Sequence, residues 1–595
     1  MIPSAAPATT RSYRLSSRQY DAPSLGIVAA IRRLSPVMVG EQALVVQALV
    51  AVVITSTSGL LGPMIIGRTV DVYIQQRDFR GVLESAAVLL GIYLCGLCSS
   101  YFQTQRMGTV GRRVLFNLRN TLFAKLQSLP VAFFNQNKTG DLISRINNDT
   151  DKLNQFFSQA LVQFAGNTFV MIGAGIFLLS LNVRLGLTAL LPALGVLVVT
   201  RAMSPWVKRR NVRSLQAVGA MSADIQESLN NFRVIAAFNR SDYFRAKFAL
   251  ANEQNFRSAV DAGVASGGFL PIYGLAQSLA QIIVLGYGIH LIVIGQATVG
   301  LLIGFLLYVN SFYMPLRQLA ALWASLQLAL AAVDRISEVL ALEPDMPRLP
   351  ATPTGSSAVL AFDDVGFGYV EGQEILRHAT LALDRGKTYA LVGPTGGGKT
   401  TTASLMARLY DPRTGVVFLD GRDIRSYAPE ERARKIGFIL QEPFLFTGTV
   451  RENIVYGHEQ YGSCSSEELL DVLRDHRLSD LLDRFGQGLD TKVTSGGDGV
   501  SLGQKQIIAF MRAALRRPEL LILDEATANI DTVTEQVLQD ILDRLPAETT
   551  TVVIAHRLNT IANADEIFFV NGGEIVPAGS LEHAVAMLLH GKRES

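Results

Sequence analysis

Six long apolar stretches, at approximately residues 40–67, 82–105, 160–182, 185–206, 270–294 and 298–326, constrain this 595-residue chain more than any other feature. Each is long enough to cross a bilayer, for which a helix needs about 20 mainly apolar residues. Hydrocarbon offers the backbone no hydrogen-bond partner, so a spanning segment has to satisfy its own amides as a helix. Only 18% of residues are charged and mean hydropathy is positive, so an integral membrane protein is expected. A net charge of +3 over such a length gives no reason to expect nucleic acid. The basic residues flank apolar stretches, where they mark the inner side of a membrane.

That rule sets the topology. Arg106, Arg112, Arg113, Arg119, Lys125, Lys138, Arg145 and Lys152 lie between the second and third stretches, and Lys208, Arg209, Arg210, Arg213, Arg233, Arg240, Arg245 and Lys247 between the fourth and fifth. Both connections belong in the cytoplasm. The turns near Arg184 and Gln296 are nearly uncharged, and the first connection balances Arg77 and Arg80 against Asp71 and Asp78; these face outward. The cytoplasmic connections keep apolar residues at three- and four-residue spacing among charges, so the spanning helices should continue into the cytoplasm. At about 1.5 Å per residue, about 20 residues carry a helix roughly 30 Å. Interruptions at 129–140 and 221–231 should place short helices at the two tips, where something must dock.

Residues 1–23 are rich in Ser, Ala, Pro, Arg and Tyr without an apolar core, which predicts a flexible cytoplasmic tail; Arg11, Arg14 and Arg18 also imitate an organellar transit peptide. An amphipathic piece at 25–34 should lie along the inner membrane surface. Cys95 and Cys98 have redox or metal spacing, but inside an apolar helix with no further Cys or His nearby they read as small packing residues. Prolines at 344, 347, 350 and 353 mark a linker over 341–357, since closely spaced prolines interrupt helices. It separates a six-helix membrane domain, 24–340, from a soluble domain, 358–590, in which apolar runs alternating with helical stretches predict an α/β fold with a largely parallel sheet.

In the soluble domain an apolar strand, Tyr389, Ala390, Leu391 and Val392, runs into Gly393, Pro394, Thr395, Gly396, Gly397, Gly398, Lys399 and Thr400, and then into a helix from Thr401 to Tyr410. A glycine-rich strand-to-helix turn of this kind is a phosphate-binding loop. Its backbone N–H groups surround phosphate oxygens, Lys399 reaches the β- and γ-phosphates, and Thr400 can ligate magnesium. A second strand, 520–524, ends in Asp524 and Glu525: the first suits the metal, the second the attacking water of phosphoryl transfer.

Between them lie Gln441 and then Val500, Ser501, Leu502, Gly503 and Gln504; after them comes His556. This order resembles the ATP-binding cassette family, and the membrane part with its fused cassette resembles that family's exporter-type half-transporters. The resemblance covers nearly the whole chain. It implies ATP and Mg2+ as cofactors, ATP hydrolysis, and adenine stacking by Tyr369. It also implies a Walker A loop from Gly393 to Thr401 and a Walker B acid at Asp524. Gln441 would sense magnesium and the attacking water, Glu525 would be the catalytic base, Asp531 the D-loop acid and His556 the switch residue. Ser501 should start a helix to about Leu515, so that its hydroxyl, the Gly503 N–H and the helix dipole form a second anion site. In the family that site closes over ATP held by another cassette.

The signature departs from the family's Leu-Ser-Gly-Gly-Gln at Val500 and Leu502, the segment before it lacks the usual glutamate, and the D-loop reads Ala-Asn-Ile-Asp. With Glu525 and His556 both present, this combination favours a heterodimer with a second half-transporter over a homodimer. Polar candidates within the spans are Asn167, Gln277, Gln281, His290, Asn310 and Tyr313, with Tyr308 and Phe312 a turn apart as a possible cavity face. The fifth and sixth spans hold no acid or base at depth, which points to an apolar or amphiphilic cargo such as a drug, lipid or peptide. The expected function is ATP-driven export across the inner (plasma) membrane, cassette in the cytoplasm. ATP-driven uptake of a metal chelate such as a siderophore is the alternative.

Overall fold

The six apolar stretches form six long helices in the computed structural model, which describes residues 13–15, 32, 40–344, 346–350, 358–370, 372–458, 460–494, 499–524, 532–554, 562–579 and 581–590. They are α1 (Gln42–Ile74), α2 (Phe79–Gln127), α4 (Thr139–Leu181), α5 (Val183–Asn230), α7 (Ser241–Val293) and α8 (Val299–Leu340), with two short helices, α3 (Val131–Gln136) and α6 (Phe232–Ala237), between the second and third and the fourth and fifth. The described residues fall into two compact units: 13–14, 128–138 and everything from 342 onward form one, and the rest form the other.

Several helices run far past the apolar stretch that nucleates them, α2 to 49 residues and α5 to 48, as their amphipathic extensions predict. The short helix α3 lies within 129–140 as expected. The second interruption lies further on than the sequence suggests. Residues 221–230 contain no glycine or proline and stay inside α5, and the chain turns only at Asn231 (φ −104°, ψ 18°). The Asn231 side-chain amide donates to the Glu227 carbonyl at 2.9 Å, an oxygen that also accepts from the Asn231 backbone N–H at 3.1 Å. The amphipathic piece at 25–34 lies outside the described residues except for Arg32.

Hydroxyls and small residues join the membrane helices. Tyr308 and Tyr313 on α8 are buried and donate to the carbonyls of Leu60 (2.8 Å) and Ala189 (2.9 Å). Tyr308 also stacks on Phe177 at 5.0 Å. It therefore ties α8 to α1 and α4, where the sequence suggested a cavity face. Gln277 Nε2 donates to Asn310 Oδ1 at 3.1 Å, linking α7 to α8. Asp71, expected as an ordinary loop charge, caps α8: its carboxylate accepts from Thr298 Oγ1 (2.5 Å) and the Gly300 amide (2.7 Å). A Cβ on Gly67 would lie 2.7 Å from the Gly300 carbonyl oxygen, so the glycine permits the close crossing.

A charged cluster binds the extension of α4 to that of α8. Arg145 and Asp149 bracket a π-helical turn in α4 and are 1% and 0% exposed. Arg145 Nε pairs with Asp141 (3.0 Å) and Nη1 with Glu338 (2.8 Å), and Nη1 also donates to the Arg335 carbonyl at 2.7 Å. Arg335 pairs with Asp141 (2.6 Å) and Asp149 (3.2 Å), and Lys152 adds a second cation 3.0 Å from Asp149. A π turn widens the helix by one residue, which sets these two side chains on the α8 side.

The other unit contains the α/β domain. Strands β1 (Leu360–Phe367), β2 (Leu376–Leu383), β3 (Thr388–Val392), β4 (Thr414–Leu419), β5 (Arg422–Asp423), β6 (Ile436–Ile439), β7 (Gly448–Thr449), β8 (Lys492–Val493), β9 (Leu520–Asp524), β10 (Thr550–Ile554), β11 (Glu566–Asn571) and β12 (Glu574–Pro577) form three sheets. The largest has the order β12-β11-β3-β10-β9-β6, parallel apart from the β11–β12 hairpin. A second, antiparallel sheet, β2-β1-β4-β5, accompanies the largely parallel one. Because β3 and β9 flank β10 in parallel, the glycine loop after Val392 and the carboxylate of Asp524 emerge at the same sheet edge.

Candidate functional site

The loop after β3 is built around close backbone approaches. A Cβ on Gly393 or Gly397 would run into the Val570 carbonyl oxygen at the end of β11. Gly398 has φ +112°, a left-handed conformation that glycine adopts without strain, and it opens α9 (Lys399–Met406). Lys399 is 6% exposed, and its ammonium donates to the carbonyls of Gly393 (2.8 Å) and Pro394 (3.1 Å). A cation curled over a glycine loop at a helix N-terminus faces whatever anion that loop holds.

Thr400 and Asp524, 124 residues apart, meet here: Thr400 Oγ1 donates to Asp524 Oδ1 at 3.3 Å. Thr401 Oγ1 lies 3.2 Å from the Tyr369 hydroxyl, which fixes Tyr369 beside the loop with its ring partly exposed. Gln441 is exposed just beyond β6. Glu525, Asp531 and His556 lie outside the described residues; they follow β9 and β10, whose last residues are Asp524 and Ile554.

Ser501 caps α10 (Leu502–Ala514) as the sequence predicts. Its hydroxyl accepts from the Gln504 amide (3.2 Å) while Gln504 Oε1 accepts from the Ser501 amide (2.8 Å), a reciprocal capping box. The serine hydroxyl accepts in that bond and keeps its own hydrogen to donate elsewhere. Gly503 lies against Thr534 on α11 (Thr532–Asp543): a Cβ would be 2.9 Å from Thr534 Oγ1. Leu502 is 38% exposed at the start of α10.

Two residues that sequence reasoning passed over hold these parts together. Gln506 is 0% exposed, and its side-chain amide donates to the Gln441 carbonyl at 3.1 Å, linking α10 to the Gln441 loop. Its place two residues beyond the signature was the only hint. Tyr410 packs its ring edge-on against Tyr369 at 5.1 Å and accepts at its hydroxyl from Asn135 Nδ2 of α3 at 2.6 Å. Burial pushes the Tyr410 hydroxyl's pKa up, although the Asn135 bond opposes the shift. Nothing in the sequence pairs residues 275 apart.

Comparisons with known proteins show the family to which this chain belongs. Residues 45–316 match the model for the ABC transporter transmembrane region, and residues 376–528 match the ABC transporter model. A fatty acid ABC transporter ATP-binding/permease protein of Mycobacterium bovis is 31% identical over 84% of this chain and 79% of its own length. The chain belongs to the ATP-binding cassette (ABC) transporter family. Other ABC proteins of similar identity, 30% each, are an ATP-dependent lipid A-core flippase of Syntrophus aciditrophicus (84% of this chain, 83% of the relative) and a multidrug resistance ABC transporter ATP-binding and permease protein of Lactococcus lactis (84% of each). This ABC protein is an exporter-type half-transporter: a multi-pass membrane domain fused to a domain that binds ATP and hydrolyses it in step with transport. Such exporters work in the membrane as dimers.

Proposed function

We propose that this half-transporter exports apolar or amphiphilic molecules, a drug, lipid or peptide, across the inner (plasma) membrane, with its ATP-binding domain in the cytoplasm. The observation that carries the cargo class is the neutral polar pair Gln277–Asn310, which joins the last two spans through amides instead of charges. A charge at depth would be expected for an ionic solute. The names of the relatives, fatty acid, lipid A-core and multidrug, support the same class and favour export over chelate uptake. The basic residues of the two long connections support the cytoplasmic side for the ATP-binding domain.

In this reading Tyr369 stacks on adenine, and the Gly393 to Thr401 loop, Lys399 included, holds the phosphates. Thr400 and Asp524 fit Mg2+, a hard cation that takes oxygen donors, because the structure brings a hydroxyl and a carboxylate together at the loop; Gln441 completes the set. When bound, Mg2+ neutralises phosphate charge. Glu525 accepts the proton of the attacking water, His556 reports on the γ-phosphate, and Asp531 is the D-loop acid. Ser501, Gly503 and Gln504 cap ATP held by a second chain.

That second chain is a different half-transporter, in preference to another copy of this one. Val500 and Leu502 change the signature that serves the partner's site, and Leu502 is displayed at the helix start. A dimer also accounts for α6, on which Phe232 and Val234, followed by Phe238, are 61%, 56% and 74% exposed, an apolar face that needs a cover. The test is to capture this chain by an affinity tag from its native membranes and weigh the complex. An equimolar second half-transporter is expected; a complex of this chain alone would refute the heterodimer. Reconstituting the captured complex and following a fluorescent phospholipid and an amphiphilic dye tests the cargo class. If neither moves while a small, highly charged solute does, the cargo reading is wrong.

A further inference from the structure

Tyr13 belongs to a stretch whose composition predicts a solvated tail, yet it is 1% exposed while its neighbour Arg14 is exposed. It is held from several directions. Its backbone amide donates to Gln136 Oε1 at 2.9 Å, and its carbonyl accepts from Asn137 Nδ2 at 2.9 Å, so both main-chain groups are paired with side chains at the end of α3. Its ring stands edge-on to Phe133, the fully buried residue of α3, at 6.4 Å. Its hydroxyl donates to the Glu343 carbonyl at 3.3 Å, at the start of the linker. Asn137 Nδ2 also reaches the Phe133 carbonyl at 2.8 Å, which ties the helix end to the strap.

The same short helix has a second attachment, to the ATP-binding domain: Asn135 Nδ2 donates to the Tyr410 hydroxyl, and the Tyr410 ring lies against Tyr369, whose hydroxyl meets Thr401 of the phosphate loop. A six-residue helix is too short to hold its own shape in water, and Phe134 and Asn135 are exposed. Its position therefore depends on what grips it.

We propose that Tyr13 is a positioning residue for energy coupling: it straps α3 and the linker together, so that α3 meets Tyr410 in one fixed pose and the membrane loop follows the nucleotide site. The strap acts on how often the ATP-binding domains close, through its contacts to α3 and the linker. Its removal should therefore change kcat and leave KM for ATP alone. The inference rests on reading α3 as the element that transmits the motion, and Phe133→Ala tests that reading separately.

The experiment uses the transporter captured from native membranes through this chain and placed in lipid nanodiscs. Hydrogen exchange over 131–138 and steady-state ATPase are measured for wild type, Tyr13→Ala, Tyr13→Phe and Phe133→Ala. Tyr13→Ala should speed exchange over 131–138 by about 30-fold, since local opening no longer breaks the aromatic anchor, and lower kcat about fivefold with KM for ATP within about twofold. Tyr13→Phe keeps the ring and both main-chain bonds and should restore kcat to within about twofold of wild type. Wild-type exchange or wild-type kcat in Tyr13→Ala would overturn the strap, as would a parallel change in KM. Wild-type kcat in Phe133→Ala would instead remove the transmitting role of α3 itself.

Discussion

Replacing Arg335 by methionine should destabilise the membrane unit through one stranded charge. The Asp149 side chain is 1% exposed and has two cationic neighbours, Arg335 at 3.2 Å and Lys152 at 3.0 Å. Removing one partner of a buried ion pair costs about 3–5 kcal/mol, because the remaining charge stays desolvated. Lys152 stays, its side chain 35% exposed and in part screened by water, so the expected cost is about 2–3 kcal/mol. For a unit of this size that lowers Tm by about 5 °C. Both tryptophans of this chain, Trp206 and Trp323, lie in the membrane unit, so tryptophan fluorescence of the chain purified alone in detergent, followed during heating, reports on this unit. Adding Asp149→Asn to Arg335→Met removes the stranded charge and should recover about half of the loss, a non-additivity expected of groups in direct contact. A single variant melting within about 1 °C of wild type, or a double variant less stable than the two losses summed, would refute this account of the cluster.

Other expectations follow from single contacts. Asp524→Asn and Thr400→Val should each lower magnesium-dependent ATP hydrolysis, the former by at least about 100-fold, as measured by phosphate release. Retained turnover in Asp524→Asn would remove it from the metal site. Gly503→Ala places a Cβ 2.9 Å from Thr534 Oγ1; overpacking of this kind costs about 1–3 kcal/mol and should speed hydrogen exchange over 502–514. Burial, with Arg516 nearby, lowers the pKa of His458 below the ordinary histidine value of about 6.5. The stability contributed by its neutral ring is thus complete above about 6.5 and lost as pH falls through the folded value. The circular-dichroism melting temperature of the wild type should fall more between pH 7 and pH 5 than that of His458→Gln.

What could be read in the sequence was local. The six spans follow from runs of apolar residues, and the phosphate loop from eight consecutive positions whose turn, cation and hydroxyl sit together in the chain. Ser501 and Gln504 stand three apart, which is enough to predict the capping box. The features that escaped are those assembled across distance. Arg145 reaches the Arg335 carbonyl 190 residues away, and Asp71 caps a helix that begins more than 200 residues later. Neither contact leaves a period or a spacing in the sequence. Tyr308 was placed on a cavity face by helical spacing alone, whereas stacking with Phe177 decides where its ring points. The second tip helix was misplaced because the breaker is a single asparagine, Asn231, with no glycine or proline nearby to announce it.

The central claim is that this chain hydrolyses ATP at the loop built by β3 and β9, with Glu525 as the base that drives transport. The direct measurement is steady-state magnesium-dependent ATPase of the native assembly in lipid nanodiscs, wild type beside Glu525→Gln, with ATP binding measured in parallel. The account predicts robust turnover in the wild type and a loss of at least about 100-fold in the variant, which still binds ATP. Turnover in Glu525→Gln close to that of the wild type would contradict it.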